Sequence, residues 1–100
     1  FDGAVVVAKI NSLPKQYSLS QNYPNPFNPM TTIEFALPSA GEWQLTVYNI
    51  LGQQVETWKD RSEGGYYKIT WDASRYSSGV YFYRLTAGDF QATRKMVLLK

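Results

Sequence analysis

Along "TTIEFAL", Ile33, Phe35 and Leu37 alternate with Thr32, Glu34 and Ala36, the period of two that sets one face of a strand on a core and the other in water. "WQLTVYN" repeats the pattern with Trp43, Leu45 and Val47 inward, and "YYKITWD" does so with Tyr67, Ile69 and Trp71 inward against Tyr66, Lys68 and Thr70. Hairpin punctuation separates the runs: "PSAGE" after Leu37, "ILGQ" after Asn49, "EGG" after Ser62 and Gly88-Asp89 after Ala87. With Tyr17–Gln21, "QQVETWK", "GVYFYRLTA" and "FQATRKMVLLK", the chain reads as about seven strands with no helix-length connection. Strands with one wet face pair antiparallel more often than parallel. The predicted fold is therefore all-β, an immunoglobulin-like antiparallel β-sandwich.

The last hairpin carries a register prediction. A two-residue Gly88-Asp89 loop sets Ala87 opposite Phe90, which places Tyr81 opposite Met96, Leu85 opposite Ala92 and Tyr83 opposite Arg94. The Arg94 charge then has to stack on the ring or reach the sheet edge. A tyrosine early in this strand suits the corner hydrogen bond of such sandwiches, and Trp71 is the expected centre of the core.

"NYPNPFNP", from Asn22 to Pro29, puts three prolines in eight residues just before a strand. Proline fixes φ and offers no amide donor, so the segment suits an extended crossover between sheets that discourages edge pairing. Upstream, Phe1–Asn11 is weakly patterned, with Val6, Ile10 and Leu13 spaced for a helix face against a run of three valines. Residues 1–16 are read as the end of a preceding domain plus a linker broken at Pro14, and residues 17–100 as the domain. The start lacks Met and a basic stretch before its apolar run, so the chain reads as the tail of a longer protein.

A length of 100 residues with 44% hydrophobic and 16% aromatic content matches one folded core. There is no His and no Cys, which removes imidazole bases, thiolates, disulfides and Cys/His zinc sites. The eight carboxylates (Asp2, Glu34, Glu42, Glu56, Asp60, Glu63, Asp72, Asp89) form no evident pair, with Glu34 and Glu56 assigned to exposed strand faces. No catalytic residue, metal site or cofactor is predicted. "DASRYSSG" has one carboxylate where calcium loops have several, and reads as a turn capping its own backbone. No apolar run is long enough to span a bilayer as a helix. Ten basic residues against eight acids, without a long basic stripe, argue against nucleic acid.

Two features point outward. Tyr48, Trp58, Tyr66 and Phe82 fall on the outward parity of their strands and could form a stacking platform for sugars, although Trp58 breaks the alternation of its own strand, against Val55 and Thr57, so that a bulge would bury it. From Arg84 to Lys100 there are four basic residues and one acid, Asp89, so the net +2 of the chain is concentrated in its last hairpin. A final strand "RKMVLLK", apolar on both faces at its end, is either centrally paired or displayed to be read by a partner.

Three stretches, "YSLSQNYPNPFNPMTTIEFALP", "VYNILGQQVETW" and "SSGVYFYRLTAGDFQATRKMVLLK", together resemble the C-terminal type A sorting domains of the type IX secretion system. The resemblance implies an immunoglobulin-like address at the end of a secreted protein. Its cargo lies upstream, passes through the periplasm, crosses an outer-membrane translocon and reaches the cell surface or the medium. It implies recognition by that machinery at Pro24, Asn25 and Pro26, at Gly79, Tyr81, Tyr83 and Leu85, and at Lys95, Met96, Val97 and Leu98. A sortase-like peptidase often removes the domain in that family and attaches the cargo to lipopolysaccharide; the linker Asn11–Gln16 is then the place for cleavage. Cleaved members commonly follow Pro-Asn-Pro with a short run and a glycine, whereas this chain continues "FNPMTT", which bears on cleavage more than on sorting. A related flagellar hook-capping domain shares the "VYN..G..V" pattern, so the alternatives are a passive structural sandwich or a carbohydrate-binding one using Tyr48, Tyr66 and Phe82.

Overall fold

The computed structural model describes residues 13–100; the pattern of Phe1–Asn11 lies outside them. Seven strands and no helix form among the described residues: β1 (Ser18–Leu19), β2 (Met30–Leu37), β3 (Gly41–Tyr48), β4 (Gln54–Ser62), β5 (Gly65–Asp72), β6 (Gly79–Ala87) and β7 (Phe90–Leu98). They make two sheets, ordered β1-β2-β5 and β4-β3-β6-β7. Every pairing between strands is antiparallel.

The period-two runs bury the side they promised. Ile33, Leu45, Val47, Ile69 and Leu85 are wholly buried, and Phe35, Trp43, Tyr67 and Trp71 nearly so. Trp71 lies at the centre of an aromatic cluster, with Phe27, Tyr76 and Tyr81 at ring-centroid distances of 5.9, 5.5 and 5.8 Å. Each large side chain fully removed from water contributes about 1.5–3 kcal/mol, which is what holds two sheets without a disulfide.

Three side chains depart from the parity expected of them. Glu56 is opposite Val47 while Gln54 is opposite Tyr48, so Val55 is an extra residue and β4 bulges there. Beyond the bulge Trp58 lies opposite Leu45 and is 3% exposed, so it is a core residue and not part of an outer platform. Glu56 sits on that same inner side, half-buried, rather than on the wet face. Ala36, assigned outward, is buried because Ser18 of β1 and Tyr66 of β5 flank it.

The β6–β7 register is the predicted one throughout: Ala87 opposite Phe90, Leu85 opposite Ala92, Tyr83 opposite Arg94 and Tyr81 opposite Met96. Gly88 turns the hairpin at φ 57°, where a Cβ would be strained. The Tyr81 hydroxyl donates to the Ser77 carbonyl at 2.7 Å, four residues upstream, tying the corner as expected. Arg94 reaches the edge: its Nε donates to the Leu19 carbonyl of β1 at 2.6 Å and so links the two sheets.

Register also fixes what lies at each end. One end holds the β2–β3, β4–β5 and β6–β7 turns, and there the incoming Tyr17 stacks on Phe90 at 5.3 Å. The other holds the proline segment, the Asn49–Gln53 turn, the loop from Ala73 to Ser78 and the end of β7. Nine-residue strands separate the two by about 30 Å.

Candidate functional site

β7 is the outer strand of its sheet, so its backbone groups on one side need partners. The proline segment supplies them. Gln21 Nε2 donates to the Lys95 carbonyl at 2.7 Å, and Asn25 Oδ1 accepts the Val97 N–H at 2.9 Å. The Phe27 N–H donates to the Val97 carbonyl at 3.0 Å, and the Leu99 N–H donates to the Phe27 carbonyl at 2.9 Å. Phe27 and Leu98 thus form a parallel bridge. Because Pro24, Pro26 and Pro29 carry no N–H, Phe27 is the residue whose amide engages β7, and a second strand cannot extend past it. All three X–Pro bonds in the segment are cis.

The segment is held from both sides. Before it, Tyr23 and Thr32 exchange backbone hydrogen bonds of 2.9 Å each; after it, the Pro29 carbonyl accepts the Ala73 N–H at 2.9 Å. Between these points Phe27 drops its ring into the core, 2% exposed. Asn22, also 2% exposed, is the polar hub. Its Nδ2 donates to Thr31 Oγ1 at 2.9 Å and to the Pro24 carbonyl at 3.2 Å, while its Oδ1 accepts from Gln21 Nε2 at 2.7 Å. Thr31 Oγ1 donates in turn to the Pro24 carbonyl at 2.9 Å. No donor or acceptor in this cluster is wasted, as burial demands.

Tyr83 fastens the hub to the sheet that carries β7. Its hydroxyl donates to the Ser20 carbonyl at 2.7 Å and accepts the Asn22 N–H at 2.8 Å. Burial pushes its pKa up to about 12, opposed by the hydrogen bond from Asn22 and by the charge of Arg94. The result is one seam: residues 21–27 and 95–99 run side by side, braced from beneath by Tyr83.

The residues named from the resemblance divide into two groups. Pro24, Asn25, Pro26 and Lys95 are exposed and Val97 is half-buried, all on the seam. Tyr81, Tyr83, Leu85, Met96 and Leu98 are buried in the core, with Met96 and Leu98 on the inner side of β7 and Tyr83 bonded to the segment from beneath. Gly79 opens β6 at φ 155°, where no atom lies within 4 Å of an added Cβ, so its backbone and not its space requires glycine.

The positive charge of the last hairpin does not form a single displayed tail. Arg94 is spent on Leu19, Lys100 Nζ donates to the Ser74 carbonyl at 2.5 Å, and the Arg84 guanidinium lies over the Tyr48 ring at 5.1 Å. Nor is β7 centrally paired; it is an outer strand sealed by a loop. Tyr48 and Phe82 are opposite each other on one sheet, whereas Tyr66 belongs to the other sheet, so the three do not make one platform. Asp72 accepts from the Ser74 N–H at 2.9 Å and from the Ser74 hydroxyl, the self-capping turn expected there, and those bonds lower its pKa. Among the described residues no three carboxylates gather as metal ligands.

Gln21, Asn22, Phe27 and Thr31 complete the seam's hydrogen bonds and packing, and patterning did not single them out. Thr31 alone left a signal, since it has the core parity of Ile33 and Phe35.

A search of curated proteins returns no match. The family model described as the secretion system C-terminal sorting domain matches residues 21–99, a span that begins at Gln21 and ends at Leu99, the two limits of the seam. With both segments of that seam inside a match covering most of the chain, this protein belongs to the family of type IX secretion system C-terminal sorting domains.

Proposed function

We propose that the domain is a non-catalytic address that sends an upstream cargo from the periplasm through the outer-membrane translocon to the cell surface or the medium. One observation carries this: Asn25 and Val97, from two motifs far apart in the chain, meet at 2.9 Å and turn them into a single surface. Pro24, Asn25, Pro26, Lys95 and Val97 are its readable part; Gly79, Tyr81, Tyr83, Leu85, Met96 and Leu98 are its support. The described chain enters at the opposite end, about 30 Å away along the strands, so the cargo is tethered away from the seam. Leu13, Lys15 and Gln16 are exposed at that end, which suits cleavage by a sortase-like peptidase in the linker.

The test is a fusion of residues 13–100 to an exported reporter in a host with the translocon. The reporter should become accessible to external protease only when the folded domain is attached. Equal retention with and without the domain would remove the proposal. Truncating Lys95–Lys100 is a poor substitute, because it takes the wholly buried Met96 and Leu98 out of the core.

A further inference from the structure

The outer face of the β4-β3-β6-β7 sheet is unlike the rest of the surface. Its register places Lys59, Arg61, Arg84 and Lys95 on one side against a single acid, Glu42. On the other sheet's outer face Glu34 is opposite Lys68 and Asp72 lies at the end, so the basic excess is one-sided. Among the described residues none of these four cations forms an ion pair. Lys59, Arg84 and Lys95 occupy three successive rows, about 7 Å apart along the strands, in a diagonal across the face.

The groups between the cations are those that hold hydroxyls. Gln44 is opposite both Lys59 and Thr86. Gln44 Nε2 reaches Thr46 Oγ1 at 3.2 Å, and Thr46 Oγ1 and Thr57 Oγ1 are 3.0 Å apart, which fixes an ordered amide and hydroxyl row. A shallow depression of about 530 Å³ continues this row towards Gly88, its rim carrying Lys59 and Arg61 together with the acids Glu42 and Asp60, so the anion-binding part of the face is the diagonal and not this depression. Tyr48 and Phe82 pair across the strands and give the face its aromatic element, with Arg84 over the Tyr48 ring. The large apolar side chains that stand exposed (Leu13, Tyr23, Met30, Ile50, Leu51, Leu99) all lie elsewhere. A protein partner would need such anchors.

We infer that this face binds an acidic polysaccharide, its carboxylates or other anionic groups spaced along the diagonal of Lys59, Arg84 and Lys95 and its sugar faces against Tyr48 and Phe82. The face shares Lys95 with the proline seam, and its other named residues lie outside that seam, so substitutions that spare Lys95 test it apart from the sorting role. Periodic charge, hydroxyl partners and ring stacking on one flat face are the needs of a charged glycan chain.

The experiment is affinity electrophoresis of the domain in gels containing polygalacturonate, dextran or single-stranded DNA. Polygalacturonate should retard the protein, more weakly as ionic strength rises, and dextran should not. The triple substitution Lys59→Gln, Arg61→Gln and Arg84→Gln, all outside the core, should weaken binding about tenfold or more. Tyr48→Ala, with folding checked by circular dichroism, should weaken polygalacturonate binding and leave any DNA binding unchanged. No retardation by polygalacturonate would overturn the inference. So would equal retardation by DNA that is indifferent to Tyr48→Ala, since the face would then be a general polyanion surface.

Discussion

Asn25 Oδ1 accepts the Val97 N–H at 2.9 Å across 72 positions of sequence, and this contact is where the proline segment and the last strand become one surface. It lies in the open, so its loss exposes Val97 to water and not to a void. Asn25→Ala should therefore cost only about 0.5–1.5 kcal/mol in urea unfolding.

Asn22→Ala should cost more, about 1–3 kcal/mol, although the side chain is no larger. Asn22 is buried, and its removal leaves Thr31 Oγ1 without a donor and the Pro24 carbonyl with one fewer. The ranking of the two variants by urea midpoint checks that the hub, not the surface contact, fixes the segment.

Tyr83 sets an alkaline limit. Its pKa is raised by burial from about 10 in the unfolded chain to about 12 in the fold, so the folded state keeps the proton longer. The corresponding stability is fully present below pH 10 and is lost as pH rises towards 12. Tyr67 and Tyr81, also raised by burial, act in the same direction. Thermal melts across that range should fall steeply for the parent and less steeply for Tyr83→Phe. The variant should also be less stable at neutral pH, because the Asn22 N–H and Ser20 carbonyl lose their partner.

Trp71→Ala should cost about 3–5 kcal/mol, the usual penalty for emptying a large aromatic site. Trp71 Nε1 is buried with no hydrogen-bond partner in the protein. Trp71→Phe discards that orphan donor along with part of the ring, so it should cost well under half as much. Denaturant titration of both variants gives the comparison.

Much of this was legible in the chain because strand parity and a two-residue turn are local. The β6–β7 register, the Tyr81 corner and the burial of Trp71 all follow from period two and one turn. The bulge at Val55 hid the true side of Glu56, since one inserted residue reverses every parity beyond it, whereas at Trp58 the broken alternation announced the bulge that buries it. The seam was beyond sequence reach for a different reason. Asn22 meets Tyr83 and Asn25 meets Val97 only after two sheets stack, and no spacing along the chain encodes those meetings.

Gly79→Ala should destabilise by about 1–3 kcal/mol through its backbone alone, since the added methyl meets nothing. Calorimetry on a Gly79→Ala domain checks this. A larger loss would mean that the position is packed and not merely bent.

The most direct measurement is surface delivery of the reporter fusion carrying Asn25→Gln together with Lys95→Ser, two exposed changes on the seam, with the fold verified by near-ultraviolet circular dichroism. A folded domain whose cargo stays in the periplasm is the predicted result. Delivery at the parent's level from the same folded variant would contradict the claim that the proline segment and the last strand are read together.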